Sequence, residues 1–210
     1  MINNRLKSVA EFVDLNDSVL DVGCDHGYLS IYLKKNNLCK NVIASDISKN
    51  ALNYAIDNFK KYKVSINYYV SDGLKSINEF FDTIVISGMG THTIIDILSS
   101  DKITDKIILS SNNDHYLLRK FMYKLGYKLD SEIVINEKHK YYPIMCYKKG
   151  KDTIKNIDLI YGKSNNIDYY NYLLEKNRLI IKSVPFIKKI KLRYQNYLLC
   201  IKIKGSTEKK

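Results

Sequence analysis

The sequence has no tryptophan, two prolines and four cysteines, Cys24, Cys39, Cys146 and Cys200, none of them in a Cys-x-x-Cys pair. Cysteines scattered in this way build neither a zinc site nor a disulfide framework; no metal is expected, and a reducing cytoplasm is. No apolar run approaches the ~20 residues that span a bilayer. The opening Met1-Ile2-Asn3-Asn4-Arg5 also lacks the apolar core of a signal peptide, so no membrane partner is expected. Acidic residues are scarce in one part only. Residues 1–150 carry 20 Lys and Arg against 17 Asp and Glu, whereas residues 151–210 carry 14 against 5, so the C-terminal part holds most of the net charge of +12. A coding bias toward Lys, Asn, Ile and Tyr would raise lysine everywhere, but it leaves the lack of acids in the tail unexplained. A basic appendage on a nearly neutral domain suits a polyanionic partner, with RNA first among them.

What is present is enough for a core: 45% of the 210 residues are hydrophobic, sufficient for one large domain or one domain with an appendage. Residues 1–150 alternate helix and strand patterns. Strands are expected at 18–22, 42–45, 65–70, 81–87 and 106–109, with two further, antiparallel ones at 133–135 and 144–147. Helices are expected near 6–13, 25–35, 48–62, 91–98 and 116–125. The reading is a doubly wound, Rossmann-like α/β sheet, in which ligands sit outside the carboxyl ends of the strands. Residues 152–162 read as a linker or a last edge segment. A helix from about Asn166 to Ser183, capped by Ser164 or Asn165, places Ile167, Tyr170, Leu174 and Ile181 on one face, with polar Asn177 interrupting it. Pro185 breaks the pattern, after which Ile187, Ile190, Tyr194, Tyr197 and Ile201 recur at coiled-coil spacing. The expectation is an antiparallel helical hairpin over 151–210. Lys188, Lys189, Lys191 and Arg193 beside the second seam are either a solvated face or an RNA-gripping surface.

The chemistry concentrates in Asp21-Val22-Gly23-Cys24-Asp25-His26-Gly27-Tyr28, a glycine-rich turn between a strand and a helix. Glycine lets the backbone approach a nucleotide-like ligand closely. Asp46 follows Gly23 by 23 residues at the end of the next strand, where a carboxylate can accept from both hydroxyls of a ribose. Asp25 inside the turn would repel a pyrophosphate but can receive an ammonium group. That charge pattern favours S-adenosylmethionine (SAM) over NAD. The expected cofactor residues are Gly23, Cys24, Asp25, His26, Gly27, Asp46, Ile47, Ser71, Asp72, Gly73 and Gly88. Asp72-Gly73 reads either as a plain turn or as the partner of an adenine amine, with Ser71 and Leu74 along the ring. Met89 is either a core-edge residue or a soft wall beside the sulfonium.

In order along residues 1–150, the chain resembles the bacterial SAM-dependent tRNA (adenine(22)-N1)-methyltransferases. The resemblance rests on Arg5-Leu6, the Asp21-to-Leu29 turn, Asp72-Gly73-Leu74, Gly88-Met89-Gly90-Thr91, Asn112 with Leu118-Arg119, and Tyr142. It implies SAM as cofactor, tRNA as partner, and Asn112, Tyr142 and Met89 as the residues around the reacting base. Four positions depart from the family's pattern: Thr91 stands for a glycine, Ser110-Ser111 for Gln-Pro, and Pro143 for a glutamate. A small-molecule SAM methyltransferase and an RNA-binding module with reduced or lost catalysis are the alternatives.

Overall fold

Every residue of Ser18–Val22 (β1) is buried, as befits a strand covered by crossover helices on both faces. Around it the computed structural model, which describes residues 2–100, 102–151 and 153–207, builds a seven-stranded sheet. Asn41–Asp46 (β2), Asn67–Val70 (β3), Thr83–Met89 (β4) and Lys106–Ser111 (β5) run parallel to β1. Tyr127–Glu137 (β6) and Lys140–Lys149 (β7) are antiparallel, and the order is β3-β2-β1-β4-β5-β7-β6. The chain reverses direction across the sheet at β1 and β4, and the expected doubly wound architecture is present.

Helices Asn4–Ala10 (α1), Tyr28–Lys35 (α2) and Lys49–Tyr62 (α3) cover one face through Val9, Leu33, Leu52, Ala55 and Phe59. Thr91–Leu98 (α4) and His115–Lys124 (α5) cover the other through Ile94, Leu98, Leu118 and Met122. Local chemistry sets the boundaries. The Asn3 side chain accepts from Leu6 N–H and starts α1; Ser48 does the same for Ala51 and starts α3. α2 begins at Tyr28 and not at Asp25, because Gly27, in the left-handed region at φ 69°, is its N-cap. β4 runs on through Gly88 and Met89, expected as a turn, with a register shift between Ser87 and Met89.

The segment expected as a linker contains a short helix, Asn156–Tyr161 (α6); its first residue, Asp152, lies outside the described residues. Ile167–Ser183 (α7) and Phe186–Thr207 (α8) form the hairpin around Pro185. Asn166 caps α7, its side chain accepting from Tyr169 N–H, in place of the expected Ser164 or Asn165. The seam expected on α7 holds: Tyr170 is fully buried, and Ile167, Leu174 and Ile181 are half-buried. The seam expected on α8 does not. Ile187, Ile190, Tyr194, Tyr197 and Ile201 are all exposed, from 43% to 81%. α8 instead turns inward Leu198, Leu199 and Ile203, which join Tyr161, Tyr169, Tyr170 and Val134 of β6 in one apolar cluster. Contact with an existing core outweighs a regular repeat, since buried apolar area drives the choice of face. The polar interruption Asn177 donates to Asn196 Oδ1 of α8 at 3.0 Å, a pair that fixes the helix register.

Candidate active site

The carboxyl ends of the five parallel strands carry the loops that the sequence marks: Gly23–Gly27 after β1, Asp46 at the end of β2, Asp72-Gly73 after β3, Gly88–Gly90 at the end of β4, and Asn112 after β5. The first turn is held by Gly23 and Cys24 N–H, which both donate to Ser45 O, and by Asn58 Nδ2, which donates to His26 O. Gly23 (φ 71°) and Asp25 (φ 49°) take left-handed conformations in it. A methyl group on Gly23 would lie 2.0 Å from Met89 Cε, so the bare backbone there makes room for the thioether.

Two cavities flank this turn. One, of 590 Å³, is walled by Gly23, Asp46, Ile47, Ser71, Asp72, Gly73 and Met89; the other, of 330 Å³, by Arg5, Asp21, Gly23, Cys24, Asp25, His26, Asp46, Gly88 and Met89. Of the expected cofactor residues only Gly27 is on neither wall. Its added Cβ would meet Phe59 at 2.5 Å, so it serves the close packing of α2 on α3. Asp46, shared by both cavities, accepts from Asp25 N–H at 3.0 Å on Oδ2 and from Ser48 N–H at 2.9 Å on Oδ1. Each oxygen keeps a second lone pair for a ligand hydroxyl. Ser71 is occupied as a loop brace, donating to Gly73 O and accepting from Ser76 N–H. The Asp72 carboxylate pairs with Lys75 at the surface.

The spacing alone singles out neither Asp21 nor the setting of Arg5. Asp21 is buried in β1 and accepts from Ser30 Oγ at 2.6 Å. Burial pushes its carboxyl up to about 6, against the Ser30 hydroxyl, with the Asp46 charge adding to the rise. Arg5, in the first turn of α1, sits with its guanidinium 4.8 Å from the Tyr142 ring centroid, and its buried Nε has no hydrogen-bond partner among the described residues. The smaller cavity is thus lined by the Asp21, Asp25 and Asp46 carboxylates and by Arg5, whose Nε lacks a partner among the described residues. These fit a zwitterionic amino-acid end and suit a pyrophosphate poorly. Burial, with Asp21 and Asp46 nearby, pushes the Cys24 thiol well up, so Cys24 is a neutral wall and no nucleophile.

One consequence is testable on stability. The folded Asp21 carboxyl holds its proton more tightly than the unfolded one, so its ionisation costs stability as pH rises from 3.8 to about 6, and the cost is constant above that. Asp21→Asn is expected to be the more stable form at pH 7, by up to ~3 kcal/mol. The two forms should converge below pH 4, which urea unfolding at both pH values checks.

A third cavity, of 800 Å³, opens between the sheet rim and α7, and it shares Arg5 and Gly88 with the second. Asn112 and Tyr142 line it, so the expected base-holding residues are together. Asn112 Nδ2 donates to Gly88 O at 2.6 Å, which leaves the side-chain oxygen as a free acceptor. His115, beside it, bonds Ser111 O at 3.1 Å through Nε2; since a carbonyl can only accept, Nε2 carries the proton. Burial, then the Arg119 charge, pushes this imidazole down, so it is neutral at pH 7.

Of the departures from the expected pattern, Thr91 and Ser111 have side-chain partners, whereas the buried Ser110 hydroxyl has none among the described residues. Thr91 Oγ1 and Ser111 Oγ lie 2.7 Å apart, and Thr91 N–H donates to Asn113 Oδ1 at 2.9 Å, tying α4 to the loop after β5. Pro143 pairs with Val134 of β6 and lies beyond Met145, the last β7 residue facing β5, where a missing N–H is tolerated. Sequence spacing also gives no hint of the buried Arg119–Glu132 pair. Arg119 NH1 donates to Ile160 O at 3.3 Å, while Glu132 Oε2 accepts from Lys163 and Ser164 N–H. The pair thereby ties the segment entering the hairpin to α5 and β6. Among the described residues no cluster of three or more His, Cys, Asp or Glu side chains could hold a metal, and no helix is long and apolar enough to cross a membrane.

Residues 2–145 match the family described as "Methyltransferase domain". A putative tRNA methyltransferase of Mycoplasma genitalium is 31% identical over 162 residues, 73% of each chain. The tRNA (adenine(22)-N(1))-methyltransferase of Bacillus subtilis is 32% identical over 158 residues, 71% of this chain and 66% of that one. Among solved structures, M. capricolum TrmK in complex with S-adenosyl-homocysteine superposes with a TM-score of 0.86 at 27% identity, over 97% of this chain and 98% of that one. A strand-end site of this construction and relatives of this kind lead to one conclusion: the chain belongs to the methyltransferase-domain family, within its tRNA (adenine(22)-N1)-methyltransferase group.

Proposed function

We propose that the chain transfers the methyl group of SAM to N1 of adenosine 22 in tRNA. The observation that carries this reading is that three cavities adjoin at the strand ends, with Gly23, Asp46 and Met89 common to the first two and Arg5 and Gly88 common to the cofactor-sized and substrate-sized spaces. When bound, SAM supplies a methyl group on a sulfonium, open to in-line attack by a ring nitrogen. Adenine N1 bears a lone pair and no proton, so the protein's task is positioning and not base catalysis. Asp46 would hold the ribose hydroxyls, Arg5 the cofactor carboxylate, and Asp21 with Asp25 its ammonium. The free Asn112 oxygen accepts from the exocyclic amine of adenine, which guanine lacks at that position. Tyr142, backed by Arg5, offers a ring face to the flipped base. Met89 lies between the two cofactor cavities as a soft wall.

The hairpin serves as the tRNA-binding appendage, and a tRNA substrate places the work in the cytoplasm. Lys188, Lys189, Lys191 and Arg193 lie along the exposed stripe of Ile187, Ile190, Tyr194 and Tyr197 on α8. Changing the four cations to Gln should lower the slope of log K against log salt by ~0.7–0.9 for each phosphate no longer neutralised. Filter binding of tRNA across a salt series reads this, and an unchanged slope removes the arm from the binding surface. The reading as a whole is tested by labelled SAM and unmodified tRNA, followed by nucleoside analysis. The expected product is 1-methyladenosine, abolished in tRNA with guanosine at position 22; no transfer to tRNA would reject it.

A further inference from the structure

The 800 Å³ cavity is larger than one base requires, and half of its wall is not accounted for by the adenosine. That half comes from the start of β7 and from α7: Lys140, Tyr141, Tyr169, Tyr172, Leu173 and Lys176. Tyr141 is the centre of a three-ring cluster, with centroids 5.0 Å from Tyr172 and 5.5 Å from Tyr169. Tyr169 is buried and fixes the cluster, whereas Tyr172 is 39% exposed and keeps ring surface free. Lys140 and Lys176 are exposed on the same wall, and neither makes an ion pair among the described residues. Free ring surface framed by two unpaired ammonium groups is the chemistry that binds a single-stranded nucleotide: the ring takes the base, the cations take its phosphate.

We infer that this wall is a second nucleotide subsite, which stacks the base adjacent to the methylated adenosine on Tyr172 and holds the intervening phosphate with Lys140 and Lys176. The inference rests on the proposed tRNA activity and adds to it. An adenosine drawn out of a stack leaves a neighbour exposed, and capturing that neighbour offsets part of the cost of flipping. The subsite also joins the hairpin to the chemistry, because Tyr172 and Lys176 come from α7 while Tyr141 and Lys140 come from β7. In this arrangement RNA is bound across both parts of the chain at once.

The test uses the full-length protein and short RNA hairpins that carry the target adenosine, with the base on its 5′ or 3′ side present or removed as an abasic nucleotide. Tyr172→Ala should leave SAM affinity by calorimetry unchanged and raise KM for the intact hairpin by about tenfold, the scale of one base–aromatic stack. Tyr172→Phe should restore the wild-type KM, since it keeps the ring. For one of the two abasic hairpins, wild type and Tyr172→Ala should have equal KM, because the stacking partner is already missing. Lys176→Gln should lower the salt slope by ~0.7. A wild-type KM for Tyr172→Ala on the intact hairpin, failure of Tyr172→Phe to restore it, or a full tenfold penalty on both abasic hairpins would each overturn the subsite. A wild-type protein that does not methylate the intact hairpin or tRNA fails the broader reading instead, so the two failures are separable.

Discussion

Glu132→Ala is expected to destabilise the protein by about 3–5 kcal/mol, the cost of leaving one member of a buried ion pair without its partner. In a chain of this size that corresponds to a fall in Tm of about 10 °C, measurable by calorimetry or circular dichroism. Both side chains are essentially inaccessible, at 1% for Arg119 and 0% for Glu132. Many buried ion pairs can be exchanged for apolar residues at no cost, but this one should not tolerate it. Glu132 also accepts from the Lys163 and Ser164 amides, and Arg119 also donates to the Ile160 carbonyl. An Arg119→Met, Glu132→Leu double variant would orphan those backbone groups, each at ~1–3 kcal/mol. It should remain well below wild type in urea unfolding. Recovery of wild-type stability in the double variant would show that the backbone contacts count for little and that the pair alone sets the energy.

Asp46→Ala should lower SAM affinity by more than tenfold, because hydrogen bonds to a charged acceptor contribute ~1.5–3 kcal/mol each and two ribose hydroxyls are served. The substitution also releases Asp25 N–H and Ser48 N–H, so the loop that shapes the amino-acid end loosens together with the ribose contact. Asp46→Asn keeps one acceptor oxygen and should fall between the two. Calorimetric titration with SAM decides the matter: affinity unchanged in Asp46→Ala would show that the carboxylate braces the turn without touching the cofactor.

The sheet and most of the site are legible along the chain because they depend on local signals. A buried parallel strand reads as an apolar run, as in Ile84, Val85 and Ile86, and the turn that follows must carry residues able to take left-handed conformations, as Gly23 does. Strand ends then collect on one rim by topology, so the order of elements alone is enough to group Asp46, Asp72, Gly88 and Asn112. What the sequence conceals depends on contacts between distant segments. The outward turn of Ile187, Ile190 and Tyr194 follows from the core that Tyr161, Tyr170 and Val134 form with the other face of α8. The role of Arg119 depends on residues 13 and 41 positions away. Asp21 lies inside the glycine-rich motif, but its importance comes from desolvation, which a one-dimensional pattern does not record.

The hydroxyl bridge between Thr91 and Ser111 belongs to a redundant network. Thr91 Oγ1 also bonds Asn113 O, and Ser111 Oγ also bonds Asn113 O and accepts from Asn113 N–H at 3.2 Å, so either hydroxyl keeps a partner in the loop after β5 when the other is lost. The two positions are therefore separable, and neither hydroxyl depends on the other for a partner. Redundancy of this kind lets the joint between the start of α4 and the end of β5 absorb a change at either position alone without leaving a buried polar group unpaired.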